Sequence, residues 1–165
     1  MSRFRPFWVI IILFMPVSAA FSNEESKPGR EDIWVCIGAD TSFYSTVALA
    51  YGGSLAFGYG SGSSLGIKIT LLFNDEKVDT LELCFILRLY LSGINEYSGP
   101  FLQLLGGPTF FNRDGFKLPS DYGILSVGLS FGWRFIFNDR WFAEPAIRGG
   151  FPYIFGASIS SGVRF

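Results

Sequence analysis

Large apolar residues alternate with small or polar residues along most of the chain after residue 32. The stretch 47–59 shows this most clearly: residues such as Leu55 and Phe57 occupy odd positions, and alanine, glycine or serine fills the even ones. Because successive side chains of a strand point to opposite faces, a period of two predicts strands and excludes helices. The predicted strands are about 32–39, 47–59, 65–73, 81–91, 100–111, 123–137, 141–150 and 155–165.

Charged residues of the strands share a face with the small residues, whereas the opposite face is bulky and almost uncharged. In a soluble barrel the bulky face would point inward and leave a poorly charged surface, which promotes aggregation. We therefore expect the bulky face to contact lipid and the charged face to line the lumen. A soluble periplasmic ligand-binding barrel is the less favoured alternative. The predicted lumen charges are Lys68, Glu82, Arg88, Arg134, Glu144, Arg148 and Arg164.

A sheet that spans a membrane must close on itself, because an open edge would leave backbone groups unpaired in lipid. The predicted fold is all-β: an eight-stranded antiparallel up-and-down transmembrane β-barrel. Tight turns at 60–63 and 138–140 belong on the periplasmic side together with both termini. Pro145 removes a backbone donor from the seventh strand and predicts a bulge there. Short outer connections are predicted near 40–45, 74–79, 112–121 and 149–153.

The N-terminal residues have the features of an export signal. Residues 1–20 combine a basic start, an apolar run at 7–15 that is too short to span a bilayer, and small residues ending at Ala20. We expect a secretory signal peptide that is cleaved after Ala19 or Ala20; a membrane-anchoring helix is the alternative. A polar leader at 21–31 then precedes a barrel domain at 32–165, which places the mature protein in the cell outer membrane.

Composition excludes several classes of function. Histidine is absent, so a Ser-His-Asp hydrolase, a histidine-ligated zinc site and a histidine general base are unavailable. We expect no enzymatic activity, cofactor or metal site. The formal net charge of −1 and the lack of a basic patch argue against nucleic acid as a partner. Cys36 and Cys84 fall on the same face of non-neighbouring strands, where two buried free thiols are favoured over a disulfide.

The C-terminal segment 154–165 alternates and ends on phenylalanine. It resembles the signal that the barrel-assembly machinery reads, with Ile159, Val163 and Phe165 as its apolar positions. Segments 133–135 and 141–153 resemble paired strands of small outer-membrane barrels. Over roughly 33–165 the chain resembles the small outer-membrane barrels of the OmpA, OmpX and OmpW type. This resemblance implies the lipid bilayer and the assembly machinery as partners.

The turn at 138–140 sets Arg134 opposite Glu144 on the lumen face, since a hairpin turn fixes the register of its strands. Arg88 and Arg164 are expected at a similar level, and Arg148 about one step higher. Opposed charges on one face support this register. The predicted lumen thus holds five basic and two acidic residues, centred on the Arg134–Glu144 pair.

Two functions remain open. The small residues of three inward faces favour a narrow pore or carrier for small apolar or anionic solutes. The charge network favours a sealed structural barrel that supports envelope integrity, with Trp34, Tyr90 and residues of the fifth strand filling the lumen. An adhesin or receptor is less favoured, because its outer loops would be long and the longest connection here, 112–121, has about ten residues.

Overall fold

Eight strands form the structure, a computed structural model that describes residues 33–44, 49–60, 63–91, 98–113, 122–138 and 140–165. Every predicted strand is present, most of them a few residues longer than the pattern indicates. The predicted signal peptide and polar leader lie outside the described residues. The strands are β1 Ile33–Tyr44, β2 Leu49–Tyr59, β3 Ser63–Asn74, β4 Val78–Tyr90, β5 Gly99–Arg113, β6 Tyr122–Phe137, β7 Trp141–Phe151 and β8 Tyr153–Arg164.

The strands close into one barrel. Each strand pairs antiparallel with the next in sequence, and β8 pairs with β1, so the sheet has no free edge. The predicted eight-stranded antiparallel up-and-down barrel is therefore confirmed. We call the end near Ile33 and Arg164 the lower end, and the end near Tyr44 and Tyr153 the upper end. Within the described part of the chain, no helix has the length and hydropathy of a membrane-spanning segment.

The two faces of the barrel wall differ as predicted. On β2 the side chain of Leu55 is 51 % exposed on the outside, whereas its neighbour Ala56 is 4 % exposed and faces the lumen. On β5, leucines at 102 and 104 face outward, and Phe101 and Leu105 point inward. The outer surface is therefore bulky and apolar, and small, polar and charged side chains lie inside. Both Cys36 and Cys84 are buried free thiols.

The bulge predicted at Pro145 does not form. Pairs on either side of this residue, Gly132 with Ala146 and Phe135 with Ala143, keep the same register between β6 and β7. Pro145 faces outward and interrupts the ladder without an added residue. Proline has no backbone N–H, so the ladder lacks one donor at this position.

The upper end of the barrel also differs from the prediction. The connection expected near 40–45 is wrong, because β1 continues to Tyr44 and Asp40 lies within it. The alternation extends through this segment, so strand pairing continues with both β2 and β8. The register against β8 shifts between Phe43 and Tyr44, which brings Tyr44 opposite Tyr153.

Candidate functional site

The lower half of the lumen contains a carboxylate shared by two guanidinium groups. Arg88 Nη1 lies 2.7 Å from Glu144 Oε1, and Arg134 Nε donates to the same oxygen. Arg88, Arg134 and Glu144 lie at inward positions of β4, β6 and β7, respectively. Arg88 also donates to Gln103 Oε1 through Nε at 2.9 Å and Nη2 at 2.7 Å. Charge-assisted bonds of this kind are the strong ones, so Glu144 fixes both arginines.

Aromatic rings surround these guanidinium groups. The Arg88 guanidinium carbon lies 4.3 Å from the Phe101 ring centre and 4.6 Å from that of Trp34. The Arg134 guanidinium carbon lies 3.9 Å from the Phe142 ring centre. Contacts between a cation and the face of an aromatic ring are attractive, particularly away from water. Rings and guanidinium groups together fill the lower lumen.

The upper half of the lumen is organised around Glu82. Arg148 places Nη1 2.7 Å from Oε2 and Nη2 3.3 Å from Oε1 of this carboxylate. The Tyr44 hydroxyl donates to Oε1, and Ser42 Oγ accepts from Arg148 Nη2. The Arg148 guanidinium carbon lies 4.3 Å from the ring centre of Tyr153. Residues of β1, β4, β7 and β8 thereby form one group around Glu82 and Arg148.

A third ion-pair group joins β1 to β3. Lys68 Nζ lies 2.6 Å from Asp40 Oδ1, and the Ser54 hydroxyl donates to Oδ2. The sequence prediction missed Asp40 because it ended the first strand at 39. The signal was present: Trp34 and Cys36 occupy inward even positions, and the same alternation continued by two further steps places Asp40 inside.

The structure places all seven predicted lumen charges inside the barrel. Six of them belong to the three groups just described. Arg164, the seventh, is buried at the lower end, and its backbone N–H donates to the Arg140 carbonyl at 2.9 Å. The predicted assembly-signal residues Ile159 and Phe165 are exposed on the outside, and Val163 is partly exposed. Lumen residues that the sequence prediction did not single out as partners are Asp40, Ser42, Tyr44, Ser54 and Gln103.

Between the three groups lies one small cavity of about 30 Å³. This is room for about two water molecules, and ligand pockets are roughly tenfold larger or more. Among the described residues, no three side chains of a type that ligates metals come together. The cavity is lined by Cys36, Ser54, Ala56, Lys68, Ile86, Arg88, Phe101, Gln103, Leu105, Ser130, Glu144, Ala146, Arg148, Ser158 and Ser160.

Comparison with known proteins identifies the fold. No family model matches the chain, and no curated protein matches it. Among solved structures, OprG of Pseudomonas aeruginosa aligns with a TM-score of 0.60 at 11 % identity, covering 81 % of this chain and 95 % of that one. Neisserial surface protein A aligns with a TM-score of 0.58 at 11 % identity, covering 81 % and 95 %.

The N-terminal β-barrel domain of Pseudomonas aeruginosa OprF gives a TM-score of 0.57 at 15 % identity, covering 81 % of this chain and 97 % of that domain. At such identities these likenesses concern the fold. The chain therefore has the fold of the small eight-stranded outer-membrane barrels, as its C-terminal pattern implied.

Proposed function

We propose that this chain is an outer-membrane β-barrel with a sealed lumen and a structural role in the cell envelope. The observation that carries the proposal is the linkage of the barrel walls by three buried ion-pair groups. Their paired side chains are at most 5 % exposed, except Lys68 at 12 %. A path for solutes would have to separate these paired side chains, and a buried charge left without its partner is strongly unfavourable.

The outward faces support a location in the membrane. Large apolar side chains such as Phe85 and Leu125 are exposed all around the barrel, a surface that would aggregate in water. Closure of the sheet satisfies its backbone groups, as lipid requires. The proposal includes export by the N-terminal signal peptide with cleavage, and recognition of the strand ending at Phe165 by the barrel-assembly machinery.

The lumen contents support sealing over transport. The cavity has only about 30 Å³ and lies among side chains that bond to one another. Glu144 and Glu82 are each held by arginine, so neither carboxylate is available as a general base. The proposal therefore assigns no catalytic role to these groups.

A narrow pore or carrier for small solutes is the second candidate. The observation that favours it is the cavity itself, which lies midway along the lumen and has both charged and apolar side chains in its walls. A pore would need the ion pairs above and below this cavity to exchange partners. The two candidates differ in one measurable property, the conductance of the folded barrel.

Planar-bilayer conductance of the mature protein refolded in detergent tests the proposal, with a heat-dependent gel shift as the control for folding. We expect no discrete steps from shifted wild-type protein. As a positive control, Glu144→Ala removes the acceptor of both Arg88 and Arg134 and should give rare, brief openings. Stable discrete steps from wild-type protein would support the pore and overturn the sealed barrel. Failure to insert as a folded species would favour a soluble barrel.

A further inference from the structure

The lumen carries a surplus of positive charge next to its cavity. In the described lumen, the three ion-pair groups contain four cations and three carboxylates. Each cation contacts a carboxylate, but Arg88 and Arg134 share Glu144, so one positive charge is left without a counter-charge of its own. Such a net charge is costly in a buried medium of low dielectric constant. The cations are Lys68, Arg88, Arg134 and Arg148, and the carboxylates are Asp40, Glu82 and Glu144.

The cavity walls favour a negative occupant. Three cations, Lys68, Arg88 and Arg148, line it, and Glu144 is its one carboxylate among the lining residues. Glu144 already accepts from two guanidinium groups, so its charge is compensated. The remaining wall is partly apolar, and of its four serines Ser54 and Ser130 already donate to Asp40 and to the Ile147 carbonyl. The hydroxyls of Ser158 and Ser160 also line the cavity and can donate to an anion.

One donor in this wall lacks a partner. Arg148 Nε is buried without a hydrogen bond, although both Nη atoms of the same guanidinium are bonded to Glu82. Nε lies 3.1 Å from the position that a Cβ would take on Gly156. Gly156 is two residues before the cavity-lining Ser158 and on the same face of β8. A buried donor that stays unsatisfied costs about 1–3 kcal/mol, and more when it is charged. An acceptor in the cavity would remove this cost.

From this charge surplus, unsatisfied donor and cavity we infer that the lumen binds one small monovalent anion of the size of chloride. The volume of about 30 Å³ admits a halide ion and excludes an organic anion such as gluconate. The anion balances the fourth cation and thereby stabilises the folded barrel. The inference concerns what the lumen holds, so it stands or falls independently of the conductance result.

Thermal unfolding in different sodium salts tests this inference. The refolded mature barrel is heated in sodium chloride, bromide or gluconate at equal ionic strength, and loss of strand structure is followed by circular dichroism. A ligand that binds only the folded state raises the unfolding midpoint in a saturable way. We expect chloride and bromide to raise it by about 4 °C over gluconate at tenfold the dissociation constant.

A matched pair of variants on β7 locates the effect. Ala146→Val adds two methyl groups at a cavity-lining position and should abolish most of the halide-dependent shift. Ala143→Val makes the same change three residues away on the outer face and should keep the shift. Bromide-soaked crystals of the wild-type protein should in addition show anomalous density between Lys68, Arg88 and Arg148. This measurement decides the matter if Ala146→Val does not fold.

Equal midpoints in all three salts would overturn the inference. A halide shift that Ala146→Val retains would place the ion elsewhere and would also overturn it, as would bromide-soaked crystals without anomalous density in the cavity. Loss of the shift in Ala146→Val alone, with Ala143→Val unchanged, supports the anion.

Discussion

Arg148 on β7 and Glu82 on β4 form an ion pair across the lumen, with Arg148 Nη1 2.7 Å from Glu82 Oε2. Two strands, β5 and β6, lie between them along the barrel wall. The pair therefore connects parts of the wall that no backbone hydrogen bond joins. Both side chains are buried, so the pair links opposite parts of the wall inside the upper lumen.

Removal of one partner of this pair should cost more than removal of both. Glu82→Leu leaves the Arg148 guanidinium buried without its carboxylate, and we expect a loss of about 3–5 kcal/mol in the free energy of unfolding. The double variant Glu82→Leu/Arg148→Met replaces the pair by apolar groups and should recover much of this loss. Urea unfolding of the refolded barrel measures both values. Additive losses in the double variant would show that the two residues are not coupled.

Glu144 should be the most sensitive charge of the lower lumen. Glu144→Gln leaves Arg88 and Arg134 without their shared carboxylate, so we expect destabilisation of about 3–5 kcal/mol. Asp75→Asn, the same change at an exposed position in the connection between β3 and β4, should alter stability by about 0.5 kcal/mol or less. The temperature of the gel shift on heating compares the two variants. Equal temperatures would argue against the buried network as a source of stability.

Most of the fold was predictable, because the period of two gives the strands, and the distribution of charged and bulky residues between the two faces gives the inward one. The pairing of Arg134 with Glu144 was predictable for a similar reason, since the two lie on one hairpin with a short turn. Arg88 was expected at the same level of the lumen, but its bond to Glu144 was not predicted. Arg88 is 56 residues from Glu144 in sequence. Its position beside Glu144 depends on the closure of the sheet and the stagger of its strands, which no local pattern encodes. Asp40 could have been found by extending the alternation of β1.

A glycine on β2 makes room for the indole of Trp34. A Cβ placed on Gly58 would lie 2.2 Å from Cζ2 of Trp34, whereas one on Gly53 would meet only a backbone oxygen at 3.5 Å. We therefore expect Gly58→Ala to cost about 1–3 kcal/mol by forcing the indole from its site. Gly53→Ala on the outer face should be nearly neutral. Urea midpoints distinguish them, and equal tolerance at both positions would mean that Trp34 does not fill the lower lumen.

Charges introduced on the outer face should have a cost that depends on depth. Leu129 lies near the middle of β6 and is 54 % exposed on the outside, and Phe137 ends the same strand at the lower end. An arginine at the bilayer midplane costs about 2–4 kcal/mol and near the interface about 0–1 kcal/mol. Leu129→Arg should therefore destabilise the barrel in lipid vesicles more than Phe137→Arg.

Unfolding by guanidinium from vesicles of a defined phospholipid measures this difference, and the same variants in detergent micelles provide the comparison. The depth dependence arises because water and headgroups reach the arginine at the end of the strand but not at its middle. It should weaken in micelles, where the apolar layer is less well defined. If both variants lose the same stability in vesicles, the bulky face does not lie in a bilayer and the proposed membrane location is wrong.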